Sequence, residues 1–138
     1  MKKLIFLTAF VVTGTLTFAQ GTKFFQGTFS ALADDATKKN SSYFVYFYSN
    51  NCNTCNTVDN SFAQTDVAKV ANFSFPGLKV DINSKEGTSL ATQFSVTKTP
   101  AIVFLSPSGD VYRKVEEAVD NQDLVAMMKR YTAVNETK

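Results

Sequence analysis

Tyr43-Phe44-Val45-Tyr46-Phe47-Tyr48 is an unbroken run of six apolar and aromatic residues, and a cysteine pair begins four residues after it. A run without polar alternation predicts a strand covered on both faces, because aromatic and β-branched side chains suit a pleated surface shielded from water. Ser49, Asn50 and Asn51 are turn formers, and Cys55, Val58 and Phe62 follow at helical spacing. The cysteines of Cys52-Asn53-Thr54-Cys55 therefore fall where a central strand ends and a helix begins.

The first residues belong to a different category. Lys2 and Lys3 precede an apolar run from Leu4 to Leu16, and Thr17-Phe18-Ala19 supplies small residues at cleavage spacing. Residues 1–19 read as a secretory signal peptide cut before Gln20. An uncleaved amino-terminal anchor is the competing reading, and the shortness of the apolar run disfavours it. The remaining residues, 20–138, are enough for one domain with a real core. Cleavage leaves twelve basic and twelve acidic residues, so the domain is formally neutral. Its charge makes no case for nucleic acid as a partner. The chain has no histidine, which excludes an imidazole base and removes the commonest zinc ligand.

Two cysteines in an exported chain, periplasmic or secreted, ordinarily suggest a structural disulfide. Here they are three residues apart, and closing so short a loop constrains little of the unfolded chain. A pair that is a poor staple is better explained as one that opens and closes. Metal binding by two thiolates would need a second pair from another copy, so no metal site is expected.

In order along the chain, Lys23-Phe24-Phe25 reads as a first edge strand, and Thr28 caps a helix from Phe29 to about Lys39 with Leu32 and Ala36 on one face. After the central strand, Asn53 to Ala63 is helical. Thr65-Asp66 looks like a fresh cap for a second helical piece, Val67 to Asn72. Leu78, Val80 and Ile82 alternate with polar residues in a further strand, and Ser84 caps a short helix carrying Leu90 and Phe94. Ala101 to Leu105 is a second buried strand. Ser106 to Asp110 is a hairpin loop returning as Val111 to Val115, and Asp120 caps a last helix whose residues after Ala133 are expected to fray. The order β-α-β-α-β-α-β-β-α predicts an α/β fold, a largely parallel sheet with helices on both faces and an antiparallel edge from the hairpin.

A cysteine in the first turn of a helix has its sulfur near unsatisfied backbone N–H groups and the positive end of the dipole. Both favour thiolate, so Cys52 is the expected nucleophile. Cys55, one turn on and more buried, would resolve the mixed disulfide.

From about Phe24 to Tyr131 the chain resembles the thioredoxin fold, a central mixed sheet flanked by helices. The resemblance rests on the strand leading into C-x-x-C, on Val80-Asp81-Ile82-Asn83 before a short helix, on Phe94-Ser95-Val96-Thr97-Lys98-Thr99-Pro100-Ala101, and on the Ser108-Gly109-Asp110 hairpin. Asn56 to Phe62 and Thr65-Asp66-Val67 are most similar to exported thioredoxin-like proteins and the carboxy-terminal domain of the periplasmic disulfide-interchange reductase. The resemblance implies a thiol–disulfide oxidoreductase outside the cytoplasm, a reductant of protein disulfides that takes electrons from a membrane partner; as a single small domain it is expected to be a monomer. Its substrates would be protein disulfides or dithiols. It would need no cofactor beyond the redox-active Cys52–Cys55 disulfide. It also implies that Pro100 is cis beside the cysteines and that the Thr99 backbone is free to pair with an extended substrate.

Two departures from the family bear on mechanism. Asn51 stands where a tryptophan is common, and Tyr46 stands where thioredoxins bury an aspartate that relays a proton. Lys79 matches the lysine that partners that aspartate. Asp59, four residues after Cys55 on the same helix face, is the candidate to replace it, either in proton handling or by raising the cysteine pKa values through like charge. The alternative function is a non-catalytic binding module of the same fold with an inert disulfide.

Overall fold

The computed structural model describes residues 21–137, so the expected signal peptide lies outside the described residues. The elements are α1 (Phe29–Lys39), β1 (Tyr43–Tyr48), α2 (Cys55–Ala63), α3 (Thr65–Ser74), β2 (Gly77–Asp81), α4 (Lys85–Gln93), β3 (Ala101–Leu105), β4 (Val111–Val115) and α5 (Asn121–Glu136). Four strands form one sheet in the order β2-β1-β3-β4.

β1 lies inside the sheet, and its alternate side chains enter two different cores. Tyr43, Val45 and Phe47 pack with Leu32 of α1, Leu90 of α4 and the β3 residues Ala101, Val103 and Leu105. Phe44 and Tyr46 point the other way, towards Val58 and Phe62 of α2, Ala71 of α3 and Met128 of α5. Burial on both sides is the physical reason the run carries no polar residue.

β1 pairs with β2 in parallel but with β3 antiparallel, and β3 with β4 antiparallel. The sheet is therefore mixed rather than largely parallel. Alternating helices and strands do not by themselves fix the direction of β3. That direction matters here, because Ala101 at the start of β3 faces Phe47 near the end of β1. The stretch leading into β3 is thereby delivered to the edge of the sheet from which the cysteine turn emerges.

Local chemistry sets several boundaries. Thr28, Ser84 and Asp120 each accept a hydrogen bond from a first-turn N–H, of Ala31, Gly87 and Asp123 respectively. α1 ends on Asn40 in the left-handed conformation.

Four expectations need correction. Lys23–Phe25 is not a strand. Its backbone is spent elsewhere, with Thr22 N–H on Phe62 O (2.9 Å), Lys23 N–H on Asn72 Oδ1 (2.8 Å) and a single bond from Phe25 N–H to Gly77 O (2.7 Å). The helical break lies at Gln64, in extended conformation, and α3 begins at Thr65 with Asp66 already in its first turn. α2 begins at Cys55 and not at Asn53. α5 continues to Glu136, where Asn135 accepts from the Tyr112 hydroxyl at 2.6 Å and donates to Ser42 Oγ.

Candidate active site

Cys52 and Cys55 are joined by a disulfide with their Cα atoms 5.3 Å apart. Cys55 is the first residue of α2 and is only 3% exposed, whereas Cys52 lies just before the helix and is partly open to solvent. The turn between them uses i to i+3 bonds, from Cys55 N–H to Cys52 O (3.3 Å), Asn56 N–H to Asn53 O (3.3 Å) and Thr57 N–H to Thr54 O (3.2 Å). The Cys55 N–H also points at Cys52 Sγ, 3.1 Å away. Cys52 lies two residues before Thr54, the N-cap of α2, and its sulfur shares the Cys55 N–H with its own carbonyl. The expectation that Cys52 lies in the first turn of the helix is therefore corrected: it precedes α2, and what reaches its sulfur is the N–H of the helix's first residue.

Beneath the pair lies a cluster built from three elements. The Tyr46 hydroxyl of β1 donates to the Cys55 carbonyl at 3.2 Å. Lys79 of β2 donates to Asp59 Oδ1 of α2 at 2.8 Å. The same ammonium faces the Phe24, Tyr46 and Tyr48 rings, 5.9, 5.5 and 4.7 Å from their centroids. Burial first, then the Asp59 carboxylate, pushes the Tyr46 phenol well above its ordinary pKa. Tyr46 is therefore a permanent neutral donor over the physiological range. Asp59 and Lys79 are brought together, and because both are partly exposed their pairing contributes more to placement than to stability.

On the other side, the Thr99–Pro100 peptide bond is cis and Pro100 is buried. The Thr99 hydroxyl is 2.8 Å from that of Ser49, three residues before Cys52. This places the loop entering β3 against the turn that carries the cysteines. The loop is gripped from β4, where Glu116 Oε1, just past the strand, accepts from Thr97 N–H (2.6 Å) and Thr97 Oγ1 (3.1 Å). The Thr97 N–H foremost, aided by its hydroxyl and the Lys114 ammonium and opposed by burial, holds the Glu116 carboxyl below the usual range. Sequence reasoning missed Ser49 and Glu116. Ser49 reads only as a turn former, and no spacing signal links Glu116 to Thr97.

The surface round the pair carries exposed Asn50, Asn51, Asn53, Thr54, Asn56 and Thr57, all uncharged. A cavity lies at the far end of the sheet, lined by Ser41, Ser42, Phe73 and Asn135 among others. An open polar surface with one accessible sulfur suits a protein partner better than an enclosed small molecule.

A family model for thioredoxin matches residues 25–130. Among solved structures, the chain is similar to a thioredoxin from Thermus thermophilus, with TM-score 0.70 and 19% identity over 80% of this chain and 87% of that one. It is similar to a putative disulphide-isomerase from Bacteroides thetaiotaomicron, with TM-score 0.68 and 26% identity over 81% and 93%. It is also similar to the DsbH oxidoreductase, with TM-score 0.70 and 15% identity over 89% and 93%. No curated protein matches the chain. With this pair at the head of this helix, the chain belongs to the thioredoxin family as a thiol–disulfide oxidoreductase.

Proposed function

We propose that the protein is exported, residues 1–19 serving as signal peptide, and that residues 20–138 act outside the cytoplasm as a monomeric reductant of protein disulfides. The observation that carries the assignment of roles is the asymmetry of the pair. Cys52 Sγ is accessible and takes the Cys55 N–H, while Cys55 is buried. Cys52 thiolate attacks one sulfur of a substrate disulfide, the substrate S–S bond breaks, and the released thiolate takes up a proton. Cys55, after losing its proton, attacks Cys52 Sγ, which forms the Cys52–Cys55 disulfide and releases the second substrate thiol. Two electrons pass to the substrate. A dithiol donor, expected to be a membrane protein, returns the pair to the reduced state, and no cofactor is required.

The direction is testable by equilibrating the pair with a glutathione buffer. A reductant is expected below about −230 mV, whereas a value between about −180 and −120 mV, the range of isomerase and oxidase, overturns the reading.

Asp59 is proposed to take the Cys55 proton, with Lys79 holding the carboxylate in place. Thr99 would pair through its backbone with an extended substrate segment beside cis-Pro100. For Asp59→Asn we expect resolution of a mixed disulfide to slow about a hundredfold, at the low end of general-base effects, and the thiol pKa values to fall as a like charge is removed. Titration and resolution rates identical to wild type would eliminate this role.

A further inference from the structure

The loop entering β3 has its backbone groups unevenly occupied. Ser95 N–H bonds to Thr92 O (3.3 Å) and Val96 N–H to Ala91 O (2.8 Å), both within the chain leaving α4. Ser95 is in the left-handed conformation, φ 54°, and its carbonyl accepts from Lys114 Nζ at 2.5 Å. Thr97 N–H is taken by Glu116. Lys114 and Glu116 are themselves 3.7 Å apart, so the two charges brace each other against the loop. Among the described residues, the N–H and C=O of Thr99 make no hydrogen bond. Thr99 is also the residue whose side chain is tied to Ser49 beside the cysteine turn.

An unpaired length of extended backbone would accept a partner strand at several registers, and charged side chains are a usual means of closing such an edge. Here the closing groups come from β4 and the residue just past it, and they hold Ser95 and Thr97, ahead of Thr99.

We propose that Glu116, with Lys114, is a positioning residue for the substrate. By holding the Ser95 carbonyl and the Thr97 N–H, the two fix the loop that presents the Thr99 main chain beside the cysteine turn, and this sets the register of the substrate disulfide over Cys52. The inference rests on the reductant reading above and adds a determinant of protein-substrate recognition at that site. The Thr97 N–H keeps Glu116 ionised to lower pH than an ordinary glutamate, so the clamp holds throughout the neutral range.

The test compares insulin, which must dock a peptide segment, with hydroxyethyl disulfide, which has none, using dithiothreitol as electron donor. Glu116→Ala is expected to raise KM for insulin about tenfold, near the low end for one lost charged hydrogen bond, with kcat and the hydroxyethyl disulfide rate unchanged. Glu116→Gln, whose amide oxygen accepts the same two bonds from Thr97, is expected to restore KM to near wild type. An unchanged KM in Glu116→Ala, or parallel loss on both substrates, overturns the inference while leaving the reductant reading intact. A wild type inactive on both substrates overturns that reading as well. Should Glu116→Ala not fold, Lys114→Met frees the Ser95 carbonyl and removes the cation beside Glu116 while leaving the Glu116–Thr97 bonds. A raised insulin KM at constant kcat then supports the inference, and an unaltered KM refutes it.

Discussion

Cys52→Ser is expected to abolish insulin reduction by dithiothreitol above the uncatalysed rate, and Cys55→Ser to stall with substrate attached. The difference follows from which sulfur a partner can reach. Cys52 Sγ is the accessible member, and it receives the Cys55 N–H. A serine hydroxyl there cannot form the thiolate on which disulfide exchange depends. Cys55 is 3% exposed, so it cannot substitute as the attacking group. In Cys55→Ser the first attack is intact and only the step that frees the substrate is gone. Mixed disulfides on Cys52 should therefore accumulate, visible as adducts by non-reducing electrophoresis and mass spectrometry. Full insulin activity in Cys52→Ser, or adducts found on Cys55 in that variant, would reverse the assignment. Recovery of no adducts from the native compartment would favour the non-catalytic binding module.

Phe44→Ala is expected to lose about 3–5 kcal/mol, the range for removing a buried aromatic ring. Phe44 is wholly buried, stacks on Phe62 at 5.1 Å, and lies 6.3 to 6.5 Å from the Phe24, Phe75 and Phe104 rings. Its ring tip also occupies the space above Gly77, where an added Cβ would come within 2.0 Å of Phe44 Cζ. One ring therefore links α2, the turn before β2 and β3 to the central strand. A domain of this size is stable by about 5–15 kcal/mol, so the loss would be about a fifth of the total or more. Urea unfolding should show a lower midpoint with unchanged slope. A shift below about 1 kcal/mol would mean that the cavity is refilled by its neighbours.

The parts of the fold legible in sequence were those decided by adjacent residues. Both buried strands follow from apolar runs, and three helices start where Thr28, Ser84 and Asp120 can cap them. What was illegible depended on partners far away. Lys23–Phe25 has the composition of a strand, but Asn72 and Phe62 claim the neighbouring backbone donors and the Phe24 ring turns into the core. The i to i+3 bonding of residues 52–57 leaves no trace in residue spacing, so α2 seemed to begin two residues early. In the site, Cys52 and Cys55 were readable from a motif and Asp59 from helix periodicity. Its contact with Lys79 spans 20 residues and the Ser49–Thr99 contact spans 50, and both needed the sheet to be assembled first.

Tyr46 belongs at once to the hydrophobic core and to the floor of the cysteine turn. Its ring packs against Phe62 at 5.3 Å while its hydroxyl holds the Cys55 carbonyl. Core rigidity and site geometry therefore cannot be adjusted independently at this position. A substitution selected for a better-filled interior would release the reactive turn, and one selected for altered redox poise would open a gap in the interior. Variation in the chemistry of this domain has more freedom in residues such as Asn53 and Thr54, which are exposed and outside the core, than in the strand beneath them.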